Sequence, residues 1–136
     1  MRAVLDANVL ISALLSLDRS PARALRDWQQ GAFELIVSPL LLVELDRALA
    51  YPKLRRRIDP EEAKAFVEWL GRTATVAPDP VGPPPTRSPD PGDDYLIALA
   101  SDQGALLVSG DDHLLGLAGQ IPVFSPADFL DLLQEA

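Results

Sequence analysis

The first ten residues, Met1-Arg2-Ala3-Val4-Leu5-Asp6-Ala7-Asn8-Val9-Leu10, decide the fold of this chain. Arg2 to Leu5 is a short apolar run that carries a β-branched residue, which predicts a buried strand. Asp6 follows where that strand should end, and the apolar run 9–15 predicts a helix after it. Ligands of open parallel sheets bind at the carboxyl ends of the strands, so this position suits an aspartate with a chemical role. Aspartate is also a favoured helix N-cap, and that alternative stays open for Asp6 taken alone.

Strands and helices alternate along the rest of the chain. Further strands are predicted at residues 33–37, 73–77, 105–109 and 121–124. Helices are predicted from four cap-and-proline starts, Ser20-Pro21, Ser38-Pro39, Asp59-Pro60 and Ser125-Pro126, and over residues 92–103 and 113–117. Residues 78–91 hold seven prolines and predict an extended surface loop. The alternation predicts one α/β domain over residues 1–136 with a mainly parallel sheet.

The composition restricts the kind of site this domain can carry. The chain has no cysteine, which excludes disulfides and thiolate metal sites. Its single histidine argues against an imidazole-based zinc site, because zinc sites need several nitrogen or sulfur ligands. It has no run of eighteen apolar residues and no signal-like start, so we expect a cytoplasmic protein without a membrane partner. The net charge of −8 argues against a broad basic nucleic-acid surface. It is compatible with a nuclease whose acids are neutralised by divalent cations.

Asp93 is the clearest further candidate for a site. An apolar stripe follows it at positions +3, +4, +7 and +11, formed by Leu96, Ile97, Ala100 and Gly104. Asp93 therefore begins the helix face that packs on the sheet. Asp90 is placed to cap the same helix, with Pro91 at its first position. Asp94 is out of phase with the stripe, and we expect it on a flank facing solvent or substrate.

Two more acids complete the candidate set. Asp111 follows the predicted strand 105–109 as Asp6 follows the first strand. Glu44 borders the apolar stripe of the helix that begins at Ser38-Pro39, where a carboxylate is costly unless it is paired or binds a cation. A solvent-facing glutamate at the stripe's edge is the open alternative for Glu44. Carboxylates from four separate elements at one rim would suit Mg²⁺ or Mn²⁺, which leave positions open for phosphate oxygens.

These segments resemble the PIN domain, the fold of VapC-type toxins and of related metal-dependent ribonucleases. The similarity rests on Leu5-Asp6-Ala7-Asn8-Val9-Leu10, on residues 38–45 with Glu44, on the helix from Asp93 to Ala100, and on Val108-Ser109-Gly110-Asp111. Each motif is weak alone, and the four in order cover essentially the whole chain. Ala7 stands where the family more often has threonine or serine. The run from Asp90 to Asp94 and the Ser38-Pro39 start are similar to putative toxin components of toxin–antitoxin systems.

The resemblance implies a fold, a cofactor and partners. The fold would be a three-layer α/β/α Rossmann-like domain with a central five-stranded, mainly parallel sheet. The function would be hydrolysis of RNA phosphodiesters by an endoribonuclease dependent on Mg²⁺ or Mn²⁺, as the toxin of a type II toxin–antitoxin pair. A cognate antitoxin and a homodimer are the expected partners. By carry-over, the catalytic metal ligands are Asp6, Glu44, Asp93 and Asp111, with support by hydrogen bonding from Asn8 and Ser109.

Other readings of the acidic rim are less well matched. A phosphoacceptor receiver domain would need a lysine after the last strand, where this chain has Phe124-Ser125. A haloacid-dehalogenase-like phosphatase would need a second aspartate two residues after Asp6, where this chain has Asn8. A PIN-like module without catalysis that acts through protein or RNA partners is the remaining alternative. Metal-stimulated RNA cleavage separates it from the nuclease.

The basic cluster offers a possible contact to RNA. Its members are Lys53, Arg55, Arg56 and Arg57. Such a cluster can steer a nucleic-acid backbone, because neutralised phosphates drive affinity. A solvated loop explains it equally well. His113 is similarly open between proton transfer and a loop contact.

Overall fold

The five predicted strands form one parallel sheet in the computed structural model, which describes residues 1–135. The strands are β1 Arg2–Leu5, β2 Glu34–Val37, β3 Thr75–Val76, β4 Leu106–Val108 and β5 Val123–Phe124. Their order across the sheet is β3-β2-β1-β4-β5, and every neighbouring pair is parallel. The predicted parallel α/β sheet is therefore confirmed.

The helices surround this sheet. Their bounds are α1 Ala7–Leu15, α2 Ser20–Gln29, α3 Pro39–Leu49, α4 Pro52–Arg55, α5 Pro60–Thr73, α6 Asp94–Asp102, α7 Asp112–Leu115 and α8 Pro126–Glu135. A 3₁₀ turn, Pro91–Asp93, precedes α6. Five helices pack side by side in the order α5-α3-α1-α2-α8, whereas α6 packs on β1 and β4. The result is the predicted three-layer α/β/α arrangement.

The strand order places a crevice beside β1. The chain moves from β1 to β2 and β3 on one side, and then returns to add β4 and β5 on the other. Right-handed crossovers in opposite directions put their helices on opposite faces of the sheet. The loops after β1 and β4 therefore diverge, and ligands of such sheets bind in the crevice between them. Asp6 and Ser109 directly follow these two strands.

The apolar pattern of the sequence explains the core. Ala3, Val4 and Leu5 of β1 are fully buried, as expected for a central strand covered on both faces. Phe129 of α8 is also fully buried and packs edge-to-face on Phe33, with 4.9 Å between the ring centroids. Burying a side chain of this size contributes about 1.5–3 kcal/mol. No helix within residues 1–135 has the length and apolarity needed to cross a membrane.

Several predicted boundaries differ from the observed ones. Ser20 is the first residue of α2 rather than its cap, and Arg19 precedes it without a side-chain capping bond. The short helix α4, which begins at Pro52 after α3 ends at Leu49, was not among the predicted elements, although proline is well suited to a first helical position. The strand predicted at residues 73–77 is reduced to Thr75–Val76, since α5 continues to Thr73.

Candidate active site: an acidic cleft at the carboxyl ends of the strands

Asp6 caps α1 and is also hydrogen-bonded to the residue that follows β4. Its Oδ1 accepts a hydrogen bond from the backbone N–H of Asn8 at 3.0 Å and so caps α1. Its Oδ2 accepts from the Ser109 hydroxyl at 2.8 Å. The side chain is only 6% exposed. Burial raises the pKa of Asp6, opposed by these two hydrogen bonds, and the nearby charge of Asp111 raises it further.

Ser109 joins the ends of β1 and β4. It is fully buried, and its hydroxyl accepts from the backbone N–H of Asp111 at 3.0 Å while donating to Asp6. The backbone N–H of Asp6 also donates to the Val108 carbonyl at 3.0 Å. These bonds fix the two strand-end aspartates relative to each other. Ser109, predicted to support the site, therefore bonds to both strand-end aspartates, and its role in the site stays a prediction.

Asp93 carries the least satisfied carboxylate of the site. It ends the 3₁₀ turn that Asp90 caps, with Asp90 Oδ1 accepting from Gly92 N–H at 3.0 Å. Asp93 Oδ2 is buried and has no hydrogen-bond partner. Burial, and then the charges of Asp6, Asp90 and Asp111, raise the pKa of Asp93 to about 6. A buried carboxylate oxygen without a donor is a costly arrangement unless a ligand completes it.

Asp94 does not face solvent or substrate as its helix phase suggested. Its side chain is 13% exposed, and its Oδ1 accepts from the Ser88 N–H at 2.7 Å. Its Oδ2 pairs with Arg87 at 3.2 Å. Both partners belong to the proline-rich segment 78–91. The sequence did not predict that this segment packs against the start of α6. Asp94 is therefore an anchor for that loop.

Asp111 lies beside the site and borders a second depression. It caps α7, with Oδ1 accepting from the His113 N–H at 2.9 Å. Its charge acts on both Asp6 and Asp93. The depression that it lines also involves Asn8 and Ser12. His113 stays close to Asp111, with 3.8 Å between Nδ1 and Oδ1, and it forms part of this loop.

Glu44 is held by a tyrosine that the sequence did not reveal. The Tyr95 hydroxyl donates to Glu44 Oε2 at 2.7 Å. Burial, and then this bond to a carboxylate, raise the pKa of Tyr95 above its ordinary value, so its proton stays in place. The two residues are far apart in the chain, and no local spacing could have paired them. Glu44 is half-buried at the edge of the apolar stripe, with one carboxylate oxygen bonded to Tyr95.

Asp6, Glu44 and Asp93 line one cleft of about 250 Å³. The remaining lining residues are Ala7, Asn8, Arg47, Ala48 and Tyr51. The support predicted for Asn8 is given by its backbone N–H, while its exposed side chain lines the cleft. Arg47 and Tyr51 were not singled out from the sequence. The three-residue spacing of Arg47 from Glu44 on α3 was the available signal, because such residues share a helix face.

The predicted basic cluster lies outside this cleft. Lys53, Arg55, Arg56 and Arg57 are all exposed, but none of them lines the cleft. Arg55 donates from Nε to the Ala50 carbonyl at 3.2 Å. It borders a separate depression together with Asp46 and Glu61. The cluster therefore adds positive charge near the end of α3 without entering the acidic site.

The carboxylates of the cleft are suitable ligands for a hard divalent cation, although they do not form a complete coordination site. Within residues 1–135, no three His, Cys, Asp or Glu side chains already stand together in metal-holding geometry. Mg²⁺ commonly binds through one or two carboxylates and keeps several waters. The carboxylates of Asp93, Asp6 and Asp111 could act in this way, since Asp93 Oδ2 has no partner and the charges of the other two act on it. The residues present thus fit the cation by their chemistry.

Comparison with known proteins bears on the fold and the family of this chain. A search of curated proteins found no match. The crystal structure of PAE2754 from Pyrobaculum aerophilum is similar, with a TM-score of 0.67 at 19% identity, covering 100% of this chain and 97% of that chain. At this identity the likeness shows the fold. The family description that matches is the PIN domain, over residues 2–113. With the fold, the strand-end acids and this match in agreement, the chain belongs to the PIN-domain family.

Proposed function

We propose that this protein is a divalent-metal-dependent endoribonuclease that hydrolyses RNA phosphodiesters. PIN-domain proteins are generally nucleases. One observation carries the proposal beyond the family: Asp93 Oδ2 is buried without a donor, and the charges of Asp6 and Asp111 act on the same carboxylate. A structural carboxylate would be expected to have a partner. This one is available to a cation.

The residues of the chain divide the work at this site. Asp6, Glu44, Asp93 and Asp111 would hold Mg²⁺ or Mn²⁺, which when bound activates water and stabilises charge on phosphate oxygens. Ser109 and the Asn8 N–H each occupy one oxygen of Asp6 and so fix its orientation. Tyr95 does the same for Glu44 through Oε2. Such supporting bonds typically change metal affinity or activity by about 10–100-fold when they are lost.

The proposal extends to a biological role as the toxin of a type II toxin–antitoxin pair. It is supported by family membership and by the similarity of residues 38–45 and 90–94 to putative toxin components. We propose a cognate antitoxin and a second copy of this chain as its partners, in the cytoplasm. Induced expression should arrest growth of a bacterial host, and co-expression of the neighbouring open reading frame should relieve the arrest. Growth unaffected by an active nuclease would contradict the toxin role, and a strict monomer in light scattering would contradict the homodimer.

The metal requirement is tested on purified protein with single-stranded RNA. Cleavage is expected with Mg²⁺ or Mn²⁺ and should stop in excess EDTA. Undiminished cleavage in EDTA would contradict the metal mechanism. Absence of cleavage with either metal would favour the alternative of a PIN-like module that only binds partners.

Thermal unfolding gives a second readout that does not depend on RNA. Mn²⁺ should raise the melting temperature, because a ligand that binds only the folded state stabilises it by mass action. The increment should shrink in Asp6→Asn. The matched control is Asp102→Asn, since Asp102 is an exposed acid at the far end of α6. Equal increments in Asp6→Asn and the control would remove Asp6 from the site.

A further inference from the structure

We infer that Arg47 and Tyr51 form the RNA-contact subsite of the acidic cleft, and that they select an unpaired nucleotide next to the scissile phosphate. This inference rests on the proposed ribonuclease function. It assigns substrate contact to two residues at the end of α3 instead of to the basic cluster 53–57. The pair combines a guanidinium with an aromatic ring, which is the chemistry by which proteins bind single-stranded nucleic acid.

Arg47 is the basic side chain of the cleft. It lies three residues after Glu44 on α3, so both project from the same helix face. The cleft around it is otherwise acidic, with Asp6, Glu44 and Asp93. Arg47 is exposed, and its guanidinium forms no hydrogen bond or ion pair with any part of residues 1–135. A guanidinium has five donors in a planar fork that matches phosphate oxygens, so this group is free to take one.

Tyr51 supplies the aromatic surface beside it. The chain continues to wind past the end of α3, since the Tyr51 N–H donates to the Ala48 carbonyl at 3.2 Å. Tyr51 then precedes Pro52 at the start of α4. The residue is 60% exposed although it lines the cleft, so much of its surface is open to a ligand. An exposed ring at the edge of this acidic cleft is suited to stack on an unpaired base.

Local charge also favours RNA at this edge. Residues 47–57 contain Arg47 and the basic cluster but no acid, in a chain with a net charge of −8. The positive segment therefore gives a strand approaching the acids a favourable path. Among the basic residues of this segment, direct contact is assigned only to Arg47, because Arg55 faces a different depression and donates to the Ala50 carbonyl. The cluster acts at longer range.

Duplex RNA does not fit this arrangement. Stacking on Tyr51 requires a base whose face is free, and bases inside a helix are covered on both faces. The expected substrate is therefore a single strand or an unpaired loop.

The experiment measures RNA affinity in a background that does not cut. Fluorescence anisotropy of a labelled single-stranded oligonucleotide is recorded with Asp93→Asn protein carrying Arg47→Ala, Tyr51→Ala or Tyr51→Phe. We expect Arg47→Ala to weaken Kd about tenfold and to reduce the slope of log Kd against log salt by about 0.7. Tyr51→Ala should weaken Kd about five- to tenfold, and Tyr51→Phe should restore affinity because it keeps the ring. The same oligonucleotide in a duplex should bind more weakly and should not respond to Tyr51→Ala.

The control is Arg72→Ala, which removes the same charge at the end of α5, where the chain enters the amino end of β3. It should leave Kd unchanged. If Arg56→Ala weakens binding as much as Arg47→Ala, affinity comes from the general charge of the segment and the inference is wrong. It is also wrong if Tyr51→Ala has no effect on single-stranded RNA. If the unmodified protein cleaves no RNA with either metal, the proposed function itself fails, which is a separate outcome.

Discussion

The two ends of the sheet treat their charged residues in opposite ways. At the amino ends, Glu34 of β2 accepts from Arg2 of β1 at 2.8 Å and from Thr75 of β3 at 2.7 Å. Arg2 also donates to the Gln103 carbonyl just before β4. The hydrogen bond from Thr75, and then that from Arg2, lower the pKa of Glu34. These charges are partnered, and their bonds join three neighbouring strands and the turn before β4.

At the carboxyl ends, Asp6, Glu44 and Asp93 lie close together without ion-pair partners in the described part of the chain. Burial raises the pKa of both Asp6 and Asp93, and neighbouring carboxylates raise each further. No ion pair within residues 1–135 involves Asp6, Glu44 or Asp93. The same sheet thus uses charge for stability at one end and holds unneutralised charge at the other. Unneutralised charge of this kind is expected where a ligand binds.

The largest expected effect separates the two adjacent aspartates at the start of α6. Asp93→Asn should lower metal-dependent RNA cleavage by more than about a hundredfold, because it removes a proposed ligand. It should raise the melting temperature of the metal-free protein, because a repulsive charge is lost. Asp94→Asn should keep most of the cleavage, since the amide oxygen can still accept from the Ser88 N–H. Cleavage that is lost in Asp94→Asn and kept in Asp93→Asn would reverse the assignment.

A smaller effect is expected from the tyrosine that holds Glu44. Tyr95→Phe removes one hydroxyl and leaves Glu44 free to turn. We expect kcat to fall about tenfold while the Kd for RNA in the uncleaving background stays the same. A purely structural role would lower the melting temperature instead and leave kcat intact.

Lowering the pH should change the contributions of Asp93 and Glu34 to the stability of the folded state in opposite directions. Asp93 has a folded pKa of about 6 against an ordinary value of 3.8. Between those pH values the folded state binds more protons than the unfolded state, so this group's contribution to stability falls as pH rises from about 4 to 6. The stability of Asp93→Asn relative to the unmodified protein, measured by urea denaturation without metal, should therefore grow across that window. A difference that does not change with pH would contradict the shift.

The sequence predicts the ends of strands far better than the surroundings of side chains. Asp6 and Asp111 were located because the apolar run of a predicted strand ends shortly before each of them. Asp93 was located because the apolar stripe of a predicted helix begins there. These are local patterns. Tyr95 meeting Glu44, and Asp94 meeting Ser88, depend on how separate elements pack, and no spacing encodes that. Arg47 shares a helix face with Glu44, so it was within reach of sequence reasoning, whereas the basic cluster drew attention by its charge alone.

The strand order was likewise out of reach of local reasoning. Alternating elements predict a parallel sheet, but they do not say that β4 returns to the other side of β1. That return creates the crevice in which Asp6, Ser109 and Asp111 meet. The sequence could place each acid at a strand end, and the topology decides which strand ends are neighbours.

The smallest expected effect tests the partnered end. Glu34→Gln removes the charge that Arg2 and Thr75 share at the amino ends. Because the Glu34 pKa is lowered by folding, its contribution is present above its ordinary value of 4.5 and is lost as pH falls through the folded value. The substitution should therefore lower the melting temperature slightly at pH 7 and have less effect in acid, opposite in sign to Asp93→Asn. The pair is exposed and screened by salt, so the change should be small and should shrink in high salt. RNA cleavage should be unaffected, since the substitution lies at the other end of the sheet. A loss of cleavage in Glu34→Gln protein that still melts normally would show that the two ends are coupled, and the contrast between them would fail.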